Sequence, residues 1–168
     1  LMTNLTRASN ELFRRSPDER FGSLRELAEY CQQEKQFSND CWQLPHALQP
    51  HAADGSVTVT VGDDGAFLLN DWSFSQLCSL SSVSKRTINR LSPDTASRAL
   101  QETLPAADKP IQLLTAGRSV RSLHGVTYTR LWNADVLSVV REFATDFQPP
   151  PPGAGGGTGL YCGEQDMF

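Results

Sequence analysis

The stretch Val57-Thr58-Val59-Thr60-Val61-Gly62-Asp63-Asp64-Gly65-Ala66-Phe67-Leu68-Leu69 decides the fold class. Valine and threonine alternate strictly, which puts the valines on one face of a strand and the threonines on the other. Gly62 to Gly65 supplies turn chemistry, and Ala66 to Leu69 returns as a second strand, so the segment predicts a β-hairpin. A second hairpin is predicted downstream, where Ile111–Thr115 and Val120–His124 flank Ala116-Gly117-Arg118-Ser119 and carry a guanidinium at the tip.

Between and before the hairpins the pattern is helical. Leu5, Ala8, Leu12 and Phe13 recur at helical spacing from Thr3 to about Arg15. Ser16-Pro17-Asp18-Glu19 supplies a cap, a first-turn proline and acids for the helix dipole. Ser23 with Glu26 is a capping box that opens a helix striped by Leu24, Leu27, Ala28 and Cys31. Phe37 and Trp42 are expected to extend that buried surface, and Pro45 and Pro50 to end the segment. Asn70 or Asp71 caps a short helix, Lys85–Leu91 forms a basic helical turn, and Ser92-Pro93-Asp94 opens a helix striped by Ala96, Ala99, Leu100 and Leu104. Asn133 is expected to cap a last helix with the stripe Val136, Leu137, Val140 and Phe143.

These elements predict an α+β fold: a helical amino-terminal third, two antiparallel β-hairpins with helices packed between them, a carboxyl-terminal helix and an incomplete final strand. One α+β domain is expected over 1–147, with a helical leader at 1–50 and a hairpin and helix core at 56–147. Residues 148–159, rich in proline and glycine, read as a linker or long loop. Residues 160–168 read as the start of a further strand, as in the truncated amino-terminal portion of a longer protein.

The 168 residues are 39% hydrophobic and 20% charged, which excludes a wholly disordered chain. No apolar run is long enough to span a bilayer, so no membrane partner is expected. The scattered Cys31, Cys41, Cys78 and Cys162 suggest reduced thiols and a cytoplasmic location. The net charge is −4, yet residues 81–130 carry eight basic side chains against three acidic ones.

That basic middle is the strongest functional signal. Lys85, Arg86, Arg90, Arg118, Arg121 and Arg130 would contact phosphates and Tyr128 would stack on a base, with Trp132 interleaved. Against it stands an ordinary solvated face neutralised by nearby carboxylates. Cys41, His46 and His51, with Cys31 upstream, match no zinc-finger spacing, and no metal site or cofactor is expected. No nucleophile elbow appears, and His124, the only histidine expected on a strand, has no carboxylate close in sequence. Gly153–Gly159 lacks the lysine of a phosphate-binding loop. Glu164 and Asp166 would share one strand face and could hold Mg²⁺, but two carboxylates alone do not make a nuclease. Catalytic residues stay unassigned, and an enzyme is the weaker expectation.

Four stretches carry a resemblance. They are Ser9-Asn10-Glu11-Leu12-Phe13-Arg14-Arg15-Ser16-Pro17-Asp18-Glu19-Arg20-Phe21; Phe67 to Leu91, with Leu69-Asn70-Asp71-Trp72-Ser73-Phe74-Ser75-Gln76-Leu77 and Asn89-Arg90-Leu91; Val120-Arg121-Ser122-Leu123 leading to Tyr128-Thr129-Arg130-Leu131-Trp132-Asn133; and Gly163-Glu164-Gln165-Asp166-Met167-Phe168. The chain resembles a family of phages, plasmids and bacterial genomes, domain-of-unknown-function family 932. A serine usual in that family near Gly125 is missing here, which puts a role at that position in doubt. The resemblance implies an α+β domain in a mobile-element context and supplies no catalytic residues. The resulting expectation is a phage- or plasmid-type protein that binds single-stranded DNA in replication or recombination, with an affinity that falls steeply with salt. The alternatives are a protein-interaction or regulatory module, with a protein partner and oligomerisation both open, and a metal-dependent hydrolase.

Overall fold

The computed structural model describes residues 20–21, 23–62, 65–106, 108–143 and 159–160. The fold is α+β. The described elements, in chain order, are β1 (Arg20–Phe21), α1 (Leu24–Phe37), β2 (Ser38–Gln43), a 3-10 turn (Pro45–Ala47), β3 (Leu48–Ala53), β4 (Ser56–Val61), β5 (Ala66–Leu69), α2 (Asp71–Leu80), α3 (Lys85–Ile88), α4 (Pro93–Thr103), β6 (Ile111–Ala116), β7 (Ser119–Gly125), α5 (Asn133–Phe143) and β8 (Gly159–Leu160). The chain divides into two compact units, 37–129 and 1–36 with 130–168.

The unit 37–129 is a six-stranded mixed sheet in the order β2-β6-β7-β5-β4-β3. Both expected hairpins are present, β4 with β5 and β6 with β7, and the parallel pairing of β5 with β7 joins them in one sheet. Val59 and Val61 lie at 2% and 1% exposure in a core that also takes Leu48, Leu77, Leu100, Leu113 and Val120. Deleting one such leucine costs about 2–5 kcal/mol in comparable cores. Asn70 Oδ1 accepts the Ser73 N–H at 2.7 Å and starts α2, and Ser92 caps α4 with Pro93 in its first turn.

The helical leader expected over 1–50 is corrected between Ser38 and Pro50. Ser38–Gln43 pairs with β6, and Leu48–Ala53 pairs with β4. The cause of the second pairing is the turn Asp54-Gly55, whose φ angles of 49° and 76° suit a two-residue hairpin connection. Pro50 does not end the segment, because β3 is an edge strand and an edge strand tolerates one missing donor. Phe37 and Trp42, expected to be buried, are 77% and 50% exposed. His51 also lies on a strand, so His124 is not alone there. The helix expected at 3–15 and the cap at 16–19 lie outside the described residues.

The second unit holds α1, α5 and a two-stranded pairing of β1 with β8. Ser23 Oγ accepts the Glu26 N–H at 3.2 Å, as a capping box requires. Leu27 and Cys31 of α1 bury against Ala134 and Leu137 of α5. Lys35 Nζ binds Asp135 Oδ1 at 2.6 Å. The α5 stripe expected from sequence is corrected: Ala134 and Leu137 are buried, whereas Val136 is 40% and Phe143 84% exposed. Asn133 is the first residue inside α5, and Trp132 supplies the carbonyl that opens it. The strand expected at 160–168 is described only as Gly159–Leu160, one residue earlier than expected; 161–168 and most of the expected linker lie outside the described residues. Among the described residues, no helix is long and apolar enough to cross a membrane.

Candidate nucleic-acid interface

The sheet has two unlike faces. One packs under α2, α3 and α4 and supplies the core. The other carries the alternate residues of each strand. On β2, β6 and β7 the register sets Trp42 opposite Gln112, and Gln112 opposite His124, so the three share one row of this outer face. The next row is Asp40, Leu114 and Ser122. The His124 ring lies flat on Tyr128, with centroids 3.6 Å apart and planes 10° apart. The tight turn Tyr128 N–H to Gly125 O, at 3.0 Å, brings that ring back over the strand. An aromatic surface therefore stands at each end of the row, Trp42 at one and the His124–Tyr128 pair at the other.

A β-bulge makes this arrangement compatible with the core. Thr115 pairs with Val120 but Leu114 pairs with Ser122, which makes Arg121 the extra residue of the bulge. The extra residue keeps Val120 and Leu123 on the buried face, though they are three apart, and keeps Ser122 and His124 on the outer one. Beyond Leu69 the short β5 no longer flanks β7. Helix α2 closes that edge: Asn70 Nδ2 donates to Arg121 O at 3.3 Å, and Gln76 Oε1 accepts the Leu123 N–H at 2.9 Å. Gln76 Nε2 also reaches His124 Nδ1 at 3.5 Å, which fixes the imidazole from behind.

The seven residues expected from sequence are distributed as follows. Arg118 is exposed at the β6–β7 tip, beside Gly65 of the neighbouring turn. Arg121 is the bulge residue, and Tyr128 belongs to the aromatic row. Arg86 and Arg90 are exposed on α3 and the turn after it, in the helical layer. Lys85 Nζ is held by Asp71, at 2.6 Å from Oδ1 and 3.0 Å from the backbone carbonyl. Arg130 lies in the other unit, where its guanidinium sits over the Trp132 ring at 5.5 Å with Nη2 buried. Arg118, Arg121 and Tyr128 are thus brought onto β7 and its two ends; Lys85 is occupied. Sequence reading missed Trp42, Gln112 and His124 as one group. The Asp54-Gly55 turn was the available signal, since it makes 48–53 a strand and so turns the preceding segment from helix toward sheet.

A cavity of about 410 Å³ opens at the end of β5, lined by Val57, Leu69, Phe74 and Ile88 with Asn70 and Asn89. Among its described lining residues the titratable one is Asp71, whose carboxylate is engaged by Lys85. Burial pushes the Cys78 thiol up from its ordinary range, with the Lys85 charge opposing. Among the described residues no three His, Cys, Asp or Glu side chains are grouped to hold a metal ion.

No family model, curated protein or solved structure matches the chain. The functional reading therefore stands on this geometry.

Proposed function

We propose that the unit 37–129 binds single-stranded DNA on the outer face of its sheet. The observation that carries the reading is the row Trp42, Gln112, His124 with Tyr128 stacked at its end. Trp42 is 50% and Tyr128 38% exposed, so both present ring surface to a ligand. Every base has a π-face, and base–aromatic stacking contributes about 1–3 kcal/mol per base. Arg118 and Arg121, at the tip and bulge of the same strand pair, would meet phosphates. The resemblance stated above adds the setting: DNA exposed as a single strand in replication or recombination of a mobile element.

Charge tempers the electrostatic share. The unit carries seven basic against eight acidic side chains over 37–129, so attraction to phosphate is local to Arg118 and Arg121. Two phosphate contacts on a single strand give a slope of log affinity against log salt of about −1.4. The salt dependence is shallower than a basic strip of six cations would produce.

The test is fluorescence anisotropy with labelled oligonucleotides at low salt. Trp42→Ala and Tyr128→Ala should each weaken binding by roughly 5- to 100-fold, the range that stacking energies imply. Lys85→Ala should leave affinity unchanged, because its ammonium is already engaged by Asp71. Absence of binding at low salt overturns the reading and turns attention to a protein partner.

A further inference from the structure

The edge strand β3 and the helix α4 form the two walls of an open groove. Among the described strands β3 pairs with β4 alone, at the end of the sheet opposite β2. Helix α4 packs along β3, and the groove between them encloses about 630 Å³. Pro50 and Ala52 line the strand wall, and both side chains are short enough to let another backbone come close. Pro50 supplies no N–H, so a strand added here forms one bond fewer than usual and selection falls to side chains.

The helix wall carries Asp94, Arg98 and Glu102, four residues apart and therefore on one face. All three are exposed. Opposite charges at this spacing commonly pair along a helix. Among the described residues, however, no ion pair or side-chain hydrogen bond engages any of the three. The wall thus presents a negative, a positive and a negative group in that order, each with its charged head uncommitted.

The spacing selects the ligand. Four residues of helix advance about 6 Å, and two residues of extended chain advance about 6.6 Å with both side chains on one face. Residues i, i+2 and i+4 of an extended peptide therefore run in step with positions 94, 98 and 102. We propose that this groove takes an extended segment of a partner protein as a seventh strand on β3, with positive, negative and positive side chains at alternate residues. Addition to a sheet edge is a recurring mode of peptide recognition, in which main-chain bonds hold the segment and alternate side chains are read. The charge pattern is the same in both directions, so it serves a parallel or an antiparallel segment. The inference does not rest on DNA binding, which uses the outer face around β2, β6 and β7.

The test is fluorescence anisotropy on the full chain with two labelled, end-capped peptides, Lys-Val-Glu-Val-Lys and Lys-Val-Lys-Val-Lys. The first should bind roughly fivefold tighter, as one contact changed from attraction to repulsion implies. The net charge of −4 by itself would favour the second, so non-specific attraction predicts the opposite order. Arg98→Ala should bring the two peptides level, and Arg98→Glu should reverse their order. Methylating every backbone nitrogen of the first peptide should abolish its binding, because strand addition uses those N–H groups. Equal affinities in the unmodified chain, an order that survives Arg98→Glu, or a methylated peptide that binds as well as its parent each overturn the proposal. Failure of both peptides to bind overturns it too, and self-association seen by light scattering would then assign the groove to a second copy of the chain.

Discussion

The side chain of Gln76 stands in for a β-strand beside Leu123. Its Oε1 accepts the Leu123 N–H at 2.9 Å at the point where β5 has ended and β7 would otherwise present an open edge. The helix that follows β5 thus completes the hydrogen bonding that β5 is too short to complete. Gln76→Ala leaves that N–H without its acceptor and frees the His124 ring on one side. An unmet buried donor costs about 1–3 kcal/mol, so the urea midpoint should fall accordingly. An unchanged midpoint would show that water replaces the glutamine at no cost.

Core and surface aliphatics should separate cleanly. Leu100 is 0% exposed on α4, and Leu100→Ala should cost about 2–5 kcal/mol in equilibrium unfolding. Val139, 53% exposed on α5, has little burial to lose, and Val139→Ser should stay within about 0.5 kcal/mol. Equal effects at the two sites would contradict this division between core and surface.

The Asp54-Gly55 turn isolates backbone strain from packing. A Cβ at Gly55 would meet nothing within 4 Å, yet the φ of 76° is one that side-chain-bearing residues seldom adopt. Gly55→Ala should therefore cost about 1 kcal/mol through the backbone alone. The same change at Gly125, where φ is not in the left-handed region and space is open, should be close to neutral. Thermal melts of the pair provide the check.

Cysteine chemistry gives a pH-dependent readout. The Cys78 thiol is held above its ordinary range in the folded chain by burial, so the folded state keeps its proton longer than the unfolded state does. Its contribution to stability is full below the unfolded value and is lost as pH rises through the folded one, which places the effect on the alkaline side of about pH 9. Cys78→Ala should flatten the alkaline limb of a stability–pH curve. Peptide mass spectrometry after brief alkylation at neutral pH should find Cys41, half-buried, modified before Cys31 and Cys78, which are buried.

Much of the fold is legible where local chemistry and tertiary context agree. The Val57–Val61 alternation, the caps at Ser23, Asn70 and Ser92, and the two hairpins all stand as read. The strands at Ser38–Gln43 and Leu48–Ala53 were hidden for different reasons. Pro50 argues against a strand unless its edge position is known, and that position is set by the distant order of the sheet. Trp42 follows a helix without a break, and only pairing with β6 makes it a strand residue. The candidate site was less legible still. Tyr128 was readable as an aromatic beside cations, but the row that joins it to Trp42 depends on a bulge at Arg121. A bulge shifts the alternation by one residue, and three-residue spacing between Val120 and Leu123 looks like noise until the partner strand is in place.

Ser38 meets Ala116 and Gln43 meets Ile111, so among the described strands β2 pairs only with a segment made far later. As the chain leaves the ribosome, β3, β4 and β5 can zip together from their own short turns. The segment Ser38–Gln43 must wait, its backbone without the β6 pairing, until the last hairpin emerges. Vectorial synthesis thus leaves this strand as the late-docking stave of the sheet, and its idle interval is when errant pairing between nascent chains is most to be expected.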